Sequence, residues 1–392
     1  MIERKIFFNG LNELRAFAAL AVIFHHIELF KSRDHIGSLF DSPFSYFIGT
    51  LGKNGVHLFF VLSGFLITFL LLKEKEKYKT IYFKKFFLRR IFRIWPLYYF
   101  IVLIGFVCIP FLAHNFPIFE KVPYYYELIA NSNNYTFQVL FLYLLILPNI
   151  ALSYDFIVPG CSQAWSIGVE EQFYILWPIL VFVFSREMLV WIFTAILLVF
   201  IFSYVFIQPD AFHLLPKNSD FTAMLLPRIY TVLKIFPFEF MTIGAIGGYL
   251  YAYYKEKIDK IAKSKFLYLI VLGFVFYFLF FSLDFGSFQG LTLGFLFLFL
   301  ILMTISEENS IVFRNKPLSY LGKISYGIYM YHPFVMFLVF PFANTYSKDG
   351  LLGYNLVVYF FVFSITILLS HLSYKYFESV FIKIKDTKYK SL

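Results

Sequence analysis

Arg15 and His26 lie eleven residues apart in the first apolar stretch of the chain, residues 11–30. At 100° per residue they fall about 20° apart on a helix, so they share one face, roughly 16 Å apart along the axis. A cation inside a hydrocarbon layer is costly, and histidine is well suited to move protons near neutral pH. The pair therefore indicates an anion-binding group and a base on one helix. A snorkelling arginine and a packed histidine would produce the same pattern.

A second basic group lies at residues 80–93, where aromatic and basic residues are interspersed as in an interfacial helix. Arg90 and Arg93 are three residues apart and share a face of that helix. Arginine binds phosphate through paired hydrogen bonds, so these two residues could hold a phosphorylated ligand. Anchoring to anionic head groups is the alternative, and the segment by itself favours it.

Two acids, Glu170 and Glu171, lie one turn inside the apolar stretch that begins near Trp165. Adjacent residues diverge by 100° on a helix, so the two acids cannot share one role. A buried carboxylate requires a partner, and His26 is the partner that we predict. A carboxylate that orients a histidine is a recurrent arrangement in general-base catalysis. A structural hydrogen bond between helices is the alternative.

Three further polar residues, His57, Ser63 and His332, lie in apolar segments and could line a site. Ser63 precedes Gly64, and a Ser-Gly pair in a membrane helix is more typical of close packing than of a nucleophile. His332 precedes Pro333, which frees backbone groups that can line a cavity. The sequence has no nucleotide-binding or metal-ligand motif, so we expect no metal and no permanently bound cofactor.

Membrane-spanning helices must position these residues. The 392 residues are 60% hydrophobic and 15% charged, with a mean hydropathy of +0.73, which excludes an ordinary soluble domain. An apolar run at 136–149 is too short to span, and we expect a re-entrant or interfacial segment there. We predict an all-α, polytopic bundle of about ten transmembrane helices, at residues 11–30, 54–72, 94–113, 165–184, 188–207, 233–252, 266–283, 288–305, 324–341 and 353–374.

The basic residues orient this bundle. With ten spans and a cytoplasmic N-terminus, about 25 of the 34 Lys and Arg lie on the cytoplasmic side, as the positive-inside rule requires. Both termini are then cytoplasmic, Arg15 lies toward the inner end of its helix, and His26 lies toward the outer end. We expect residues 1–380 to form the membrane domain and 381–392 a basic cytoplasmic tail. The net charge of +10 is consistent with anionic membrane lipid as a partner, and we expect no nucleic acid partner.

Five segments together resemble a known family: LNELRAFAALAVIFHH, GVHLFFVLSGFLIT, RRIFRIWPLYY, WSIGVEEQFYILWP and LGKISYGIYMYHP. In this order and spacing they are similar to the acyltransferase family 3 integral-membrane O-acyltransferases, over nearly the whole chain. The resemblance implies transfer of an acyl group, most often acetyl, from acyl-CoA to a hydroxyl of a cell-surface or lipid-linked saccharide. It also implies a multi-pass protein of the bacterial inner (plasma) membrane, here in the stand-alone form without a fused esterase-like domain.

The resemblance gives roles to the first pair and to one acid. Arg15 and His26 match the family's arginine and histidine separated by ten residues, which implies that His26 is the catalytic base. Glu170, rather than Glu171, matches the glutamate of the tryptophan-serine helix and would support His26. His332 matches the histidine after the tyrosine-rich turn and would line the site.

The resemblance also implies a donor site, and the sequence departs from the family pattern at two positions. Arg90 and Arg93 match its Arg-x-x-Arg motif and, with Arg15, would bind the phosphates of acyl-CoA. The family often has Asp where this chain has Asn12, and an acid where it has His57. Either difference could alter the placement of donor or acceptor without removing a catalytic group.

Two other classes of function stay open at this point. A transporter or flippase of a lipid-linked or surface glycan would also have many spans and buried charges, although the sequence lacks the two related halves common in transporters. The second class is a structural protein that takes part in assembling the cell envelope without catalysing a reaction. For an enzyme, direct attack on the thioester and an acyl-enzyme route through His26 or Ser63 are both possible. The acceptor, the length of the acyl chain and the oligomeric state are not readable from the sequence.

Overall fold

The computed structural model is predominantly helical over the residues that it describes, which are 8, 10–38, 40, 44–206, 229, 231–281, 288–306, 315–346 and 351–388. No strand occurs among these residues. The principal helices are α1 Leu11–Arg33, α2 Ser45–Tyr78, α3 Phe83–Leu103, α4 Ile109–Asn115, α5 Pro123–Ala130, α6 Phe137–Leu144, α7 Pro148–Ser153, α8 Trp165–Val183, α9 Arg186–Phe206, α10 Phe238–Ala262, α11 Lys265–Phe280, α12 Phe288–Ile305, α13 Lys316–Lys323, α14 Ser325–Tyr346, α15 Leu351–Leu372 and α16 Ser379–Lys388. Short π-helical segments, Ile104–Cys108 and Ser373–Glu378, connect α3 to α4 and α15 to α16.

Within the described ranges, seven helical segments are long and apolar enough to cross a membrane, and the count is eight if the bent pair α10 and α11 forms one span. The predicted class, an all-α multi-pass membrane protein, is confirmed, although fewer helices qualify than the ten predicted. α1 is not among them, and it carries Glu13, Arg15, Glu28 and Lys31. The segment near 136–149 contains the eight-residue helix α6, which is too short to span, as predicted.

The basic segment at 80–93 differs from the prediction. Its residues from Phe83 onward form the first turns of α3 and do not make a separate interfacial helix. The helix continues through Trp95 and Pro96 into the apolar part of the chain. Arg90 and Arg93 are therefore rigidly connected to a candidate membrane span.

The chain divides into two compact units. The first comprises Met1–Leu11, His57–Ile81 and Val169–Asn315, and the second comprises Asn12–Val56, Tyr82–Gly168 and Lys316–Leu392. α2 and α8 each contribute residues to both units. The predicted boundary at residue 380 stays a prediction.

In the first unit, α2 and α10 cross at a glycine seam formed by Gly64, Gly244 and Gly248. A Cβ atom at Gly64 would lie 1.9 Å from the carbonyl oxygen of Met241, and one at Gly244 would lie 2.0 Å from that of Val61. Only glycine permits so close an approach, and small residues are the usual means by which membrane helices pack. The seam agrees with the predicted close-packing role of the Ser-Gly pair.

Side chains of α2 also hold α8 within this unit. Lys75 Nζ donates to the carbonyl oxygens of Val181 and Phe184 at 2.7 and 2.8 Å, and so caps the C-terminal end of α8. Trp177 Nε1 donates to Thr68 Oγ1 at 2.7 Å. These bonds fix the rotation of the C-terminal half of α8, about two turns beyond Glu170.

In the second unit, a buried ion pair attaches α1 to α15. Lys31 is fully buried, and its Nζ donates to Glu28 Oε1 at 2.7 Å and also to Asn355 Oδ1. The Tyr359 hydroxyl donates to the same glutamate oxygen at 2.6 Å. Because a buried charge is costly unless it is paired and hydrogen-bonded, this network favours one rotation of α1 and therefore one direction for His26.

Candidate functional site

The candidate site of the second unit depends on a proline. Pro333 lies inside α14 and has no N–H, so the carbonyl of Tyr329, four residues earlier, lacks its usual helical donor. A side chain supplies a donor instead, because His332 Nδ1 lies 2.7 Å from that carbonyl oxygen. A carbonyl can only accept a hydrogen bond. Nδ1 of neutral His332 therefore carries the proton, and Nε2 carries the lone pair.

His26 of α1 contacts this lone pair. His26 Nδ1 lies 3.0 Å from His332 Nε2, so His26 Nδ1 is the donor when both rings are neutral. The lone pair of His26 is then on Nε2. His332 is fully buried, whereas His26 is half-buried. The arrangement thus leaves His26 Nε2 as the nitrogen that can accept a proton from a ligand.

Tyr329 is itself held through its side chain. Its hydroxyl accepts a hydrogen bond from Ser166 Oγ at 2.8 Å and donates to the Gln163 carbonyl at 2.9 Å. Gln163 Nε2 donates to the Met330 carbonyl at 2.7 Å. The segment around the start of α8 therefore positions the turn of α14 that orients His332.

The neighbouring histidine has a structural role. His25 Nδ1 donates to the Ile48 carbonyl at 2.8 Å, which attaches α1 to α2. A Cβ atom at Gly52 would lie 2.4 Å from the His25 ring, so the two helices are in close contact there. Of the two adjacent histidines, His26 is the one directed at His332.

Glu170 lies in the first unit and accepts two hydrogen bonds from hydroxyl groups. Ser63 Oγ donates to Oε1 at 2.9 Å, and the Tyr174 hydroxyl donates to Oε2 at 2.8 Å. Two predicted site residues, Ser63 and Glu170, are thus in direct contact. The partner that the structure gives to His26 is His332, and the predicted support of His26 by Glu170 stays a prediction.

His57 belongs to the packed interior of the first unit. Its ring stacks on Phe240 with centroids 3.6 Å apart, and the side chain is 6% exposed. A structural role accounts for this position. Its predicted role in lining the site stays a prediction.

The three arginines predicted to bind the donor all belong to the second unit, Arg15 on α1 and the other two on α3. Arg15 is half-buried and Arg93 is exposed. The Arg90 guanidinium lies 5.6 Å from the centroid of the Phe86 ring. An exposed arginine at the start of a membrane helix can meet a phosphate group, but their shared role stays a prediction.

Two features of this site were not found from the sequence, namely the pairing of His26 with His332 and the anchoring of Tyr329 by Ser166. The sequence does contain one signal for the first. A proline at position 333 frees the carbonyl at position 329, and the histidine at position 332 is close enough to use it. The histidine pair can therefore act in acid–base chemistry. His26 can take up one proton at Nε2, and its hydrogen bond to His332 stabilises the resulting charge.

The family model described as an acyltransferase domain matches residues 8–375. No solved structure matches the chain.

Several curated proteins of Staphylococcus aureus are similar to the chain. The "Putative O-acetyltransferase" of strain MRSA252 is 28% identical over 402 residues, which cover 95% of this chain and 57% of that protein. The O-acetyltransferase OatA of strain NCTC 8325 is 25% identical over 386 residues, which cover 94% of this chain and 56% of that protein. The chain thus spans slightly more than half the length of these relatives.

Proposed function

The chain belongs to the acyltransferase family whose domain matches residues 8–375 and is a multi-pass membrane acyltransferase, and on this premise we propose its substrates and mechanism. The acyl group is acetyl, as in the names of the relatives, and the donor that we propose is acetyl-CoA. The acceptor is a hydroxyl group of a cell-surface or lipid-linked saccharide. The protein acts in the inner (plasma) membrane of a bacterium, with both termini in the cytoplasm.

The observation that carries the mechanism is the hydrogen bond between His26 Nδ1 and His332 Nε2. His26 Nε2 takes the proton from the acceptor hydroxyl, and the oxygen attacks the carbonyl carbon of the thioester. The carbon–sulfur bond then breaks, and CoA leaves as a thiolate that receives the proton from His26. During the transfer, the charged His26 donates a stronger hydrogen bond to His332.

Direct transfer is favoured over an acyl-enzyme route through Ser63. The Ser63 hydroxyl donates to Glu170, and the next residue lies in the glycine seam, so the serine is part of a packed helix crossing. A nucleophilic serine would require a neighbouring base to remove its proton. Glu170 is the only such neighbour that these contacts provide, and the Tyr174 hydroxyl competes with Ser63 for the same carboxylate.

Arg15, Arg90 and Arg93 bind the phosphates of the donor in this proposal. Guanidinium groups are well suited to phosphate, and the basic start of α3 lies on the cytoplasmic side in the predicted orientation. Acetyl-CoA is a cytoplasmic molecule, so its thioester would enter from that side. The saccharide would approach His26 from the outer side.

The test is replacement of the base. In cells that express His26→Ala, we expect the acetyl-sized mass increment on surface saccharides to disappear, because a general base contributes about 10²- to 10⁴-fold to the rate. Mass spectrometry of the saccharides measures the increment, and immunoblotting of membranes shows whether the variant accumulates normally.

A matched control is His114→Ala, since His114 is an exposed histidine outside the pair. This variant should retain the full increment. Normal acetylation by His26→Ala would refute the assignment of the base. Unmodified saccharide that accumulates inside cells lacking the protein would instead favour transport.

A further inference from the structure

The C-terminal end of α1 holds a carboxylate that the mechanism does not use. His35 has a positive φ of 57°, and the Ile36 N–H donates to the Lys31 carbonyl at 2.8 Å, a left-handed turn typical of helix ends. The turn places Asp34 beside α5, where Oδ1 accepts the backbone N–H of Tyr124 at 3.0 Å. The other oxygen, Oδ2, is buried and has no hydrogen-bond partner in the part of the chain that the structure describes.

Tyr125, the next residue of α5, provides a second buried polar atom of this kind. Its side chain is 2% exposed, and its ring stacks on Phe30 with centroids 4.8 Å apart and meets Phe337 edge-on at 5.6 Å. Its hydroxyl forms no hydrogen bond within the described ranges. Burial raises the pKa of Tyr125, and Tyr124 and Asp34 raise it further, so the phenol stays neutral and can donate as well as accept.

Arg33 lies at the solvent-exposed rim of the same group. Its guanidinium is 4.6 Å from the centroid of the Tyr124 ring and 5.6 Å from that of Phe30. We name the group formed by Phe30, Arg33, Asp34, Tyr124 and Tyr125 the α1-end cluster. It combines aromatic faces with one carboxylate, two phenols and one guanidinium, the mixture of apolar and directed polar groups that is typical of ligand sites.

The α1-end cluster is adjacent to the proposed base. The ring centroids of His26 and Phe30 are 6.3 Å apart. Asp34 follows His26 by eight residues, about 12 Å along the helix axis. A ligand bound at the cluster could therefore present one of its hydroxyl groups to His26 Nε2.

We propose that the α1-end cluster is a subsite for hydroxyl groups of the acceptor saccharide. Asp34 Oδ2 accepts a hydrogen bond from one hydroxyl, the Tyr125 hydroxyl bonds to a second, and the ring faces of Tyr124 and Phe30 contact the C–H groups of the sugar. Buried polar atoms without partners are costly, and a polyhydroxylated ligand satisfies both. The carboxylate repels phosphate, which distinguishes this subsite from the donor site. The inference rests on the proposed function, because the neighbouring base makes the bound saccharide an acceptor.

Binding is measured first, because it does not depend on catalysis. The purified full chain in detergent is titrated with cellotriose, maltotriose and tri-N-acetylchitotriose by isothermal calorimetry. We expect at least one of these probes to bind, and Asp34→Asn and Tyr125→Phe to weaken that binding at least tenfold. Tyr126→Phe and Glu120→Gln are the matched controls, an exposed phenol and an exposed carboxylate, and they should bind like the unmodified chain.

The transfer reaction separates failure of this subsite from failure of the proposed function. His26→Ala should bind the probe normally but transfer no acetyl group to it. Binding without transfer by the unmodified chain would support the subsite and count against the proposed function. Failure of all three probes to bind, or unchanged binding by both Asp34→Asn and Tyr125→Phe, would overturn the subsite even if acetyl transfer occurs in cells.

Discussion

One hydrogen atom determines which nitrogen of His26 is available. The proton on His332 Nδ1 is fixed by the Tyr329 carbonyl, and this leaves Nε2 of His26 as the proton acceptor. A neutral histidine in this position orients its partner as a carboxylate would, but it contributes no negative charge. In the proposed mechanism His332 therefore acts by orienting His26 and adds no negative charge.

Asp34 offers a prediction about pH at the same scale. Burial raises the pKa of Asp34, against a lowering by the Tyr124 N–H, so folding disfavours the charged carboxylate. A carboxyl group whose pKa is raised by folding lowers the free energy of unfolding at pH values above its folded pKa. This loss disappears below the pKa of the unfolded chain, about 3.9. We expect Asp34→Asn to raise the melting temperature at pH 7.5 and to raise it less as the pH falls toward 4, in thermal unfolding in detergent.

The control for this prediction is Glu120→Gln, an exposed carboxylate that should shift the melting temperature little at any pH. A lower melting temperature for Asp34→Asn at pH 7.5 would mean that the carboxylate stabilises the fold. A gain in stability, combined with the loss of saccharide binding expected above, would show that Asp34 is kept for binding.

The residue types of the site were predictable, but their pairing was not. The sequence points to His26, His332 and Glu170 because polar groups in apolar helices are costly. His26 and His332 are 306 positions apart, and a single sequence does not indicate which helix faces meet. The pairing of His26 with His332 depends on the packing of α1 against α14, which helical periodicity alone cannot specify.

At the scale of the helix, Pro333 removes one backbone hydrogen bond of α14, and the freed carbonyl of Tyr329 orients His332. Pro333→Ala would restore an N–H that competes with His332 for the Tyr329 carbonyl. We expect this variant to be as stable as the unmodified chain or more stable, and to transfer acetyl groups more slowly, by about tenfold or more if the wrong tautomer predominates. Thermal unfolding and acetyl transfer measured on the same preparation test this.

Pro341→Ala is the matched control, because Pro341 lies in the same helix without a histidine before it. Equal activity losses in the two variants would indicate a general effect of straightening the helix. Unchanged activity of Pro333→Ala would show that the tautomer does not depend on the freed carbonyl.

The helices themselves were largely predictable, since long apolar runs in the sequence correspond to α2, α3, α8, α9 and α12. Helix ends were less predictable. The basic segment at 80–93 became part of α3 because nothing in the sequence stops the helix between Phe83 and Pro96. Hydropathy locates the apolar part of a helix, whereas its polar extensions depend on capping and on contacts outside that part.

For the whole molecule, the predicted orientation places the start of α3 inside and the segment after α4 outside. In a chain with Cys108→Ser, we expect Lys84→Cys and Glu120→Cys to react with a membrane-impermeant maleimide from opposite sides of the membrane. Both positions are exposed, and Cys161 is fully buried. Labelling of intact cells and of inverted vesicles measures the side, and labelling of both positions from one side would contradict the predicted topology.

The glycine seam has a consequence for the synthesis of the protein. Gly64 is made before Gly244 by the time needed for about 180 residues, roughly 10 to 40 s at usual rates of translation. During that interval the small-residue surface of α2 around Gly64 is not yet covered by α10 and faces lipid or another helix. Such surfaces can pack against many partners. The newborn chain therefore has a period in which two copies of α2 could associate with each other, and a slower ribosome would lengthen it.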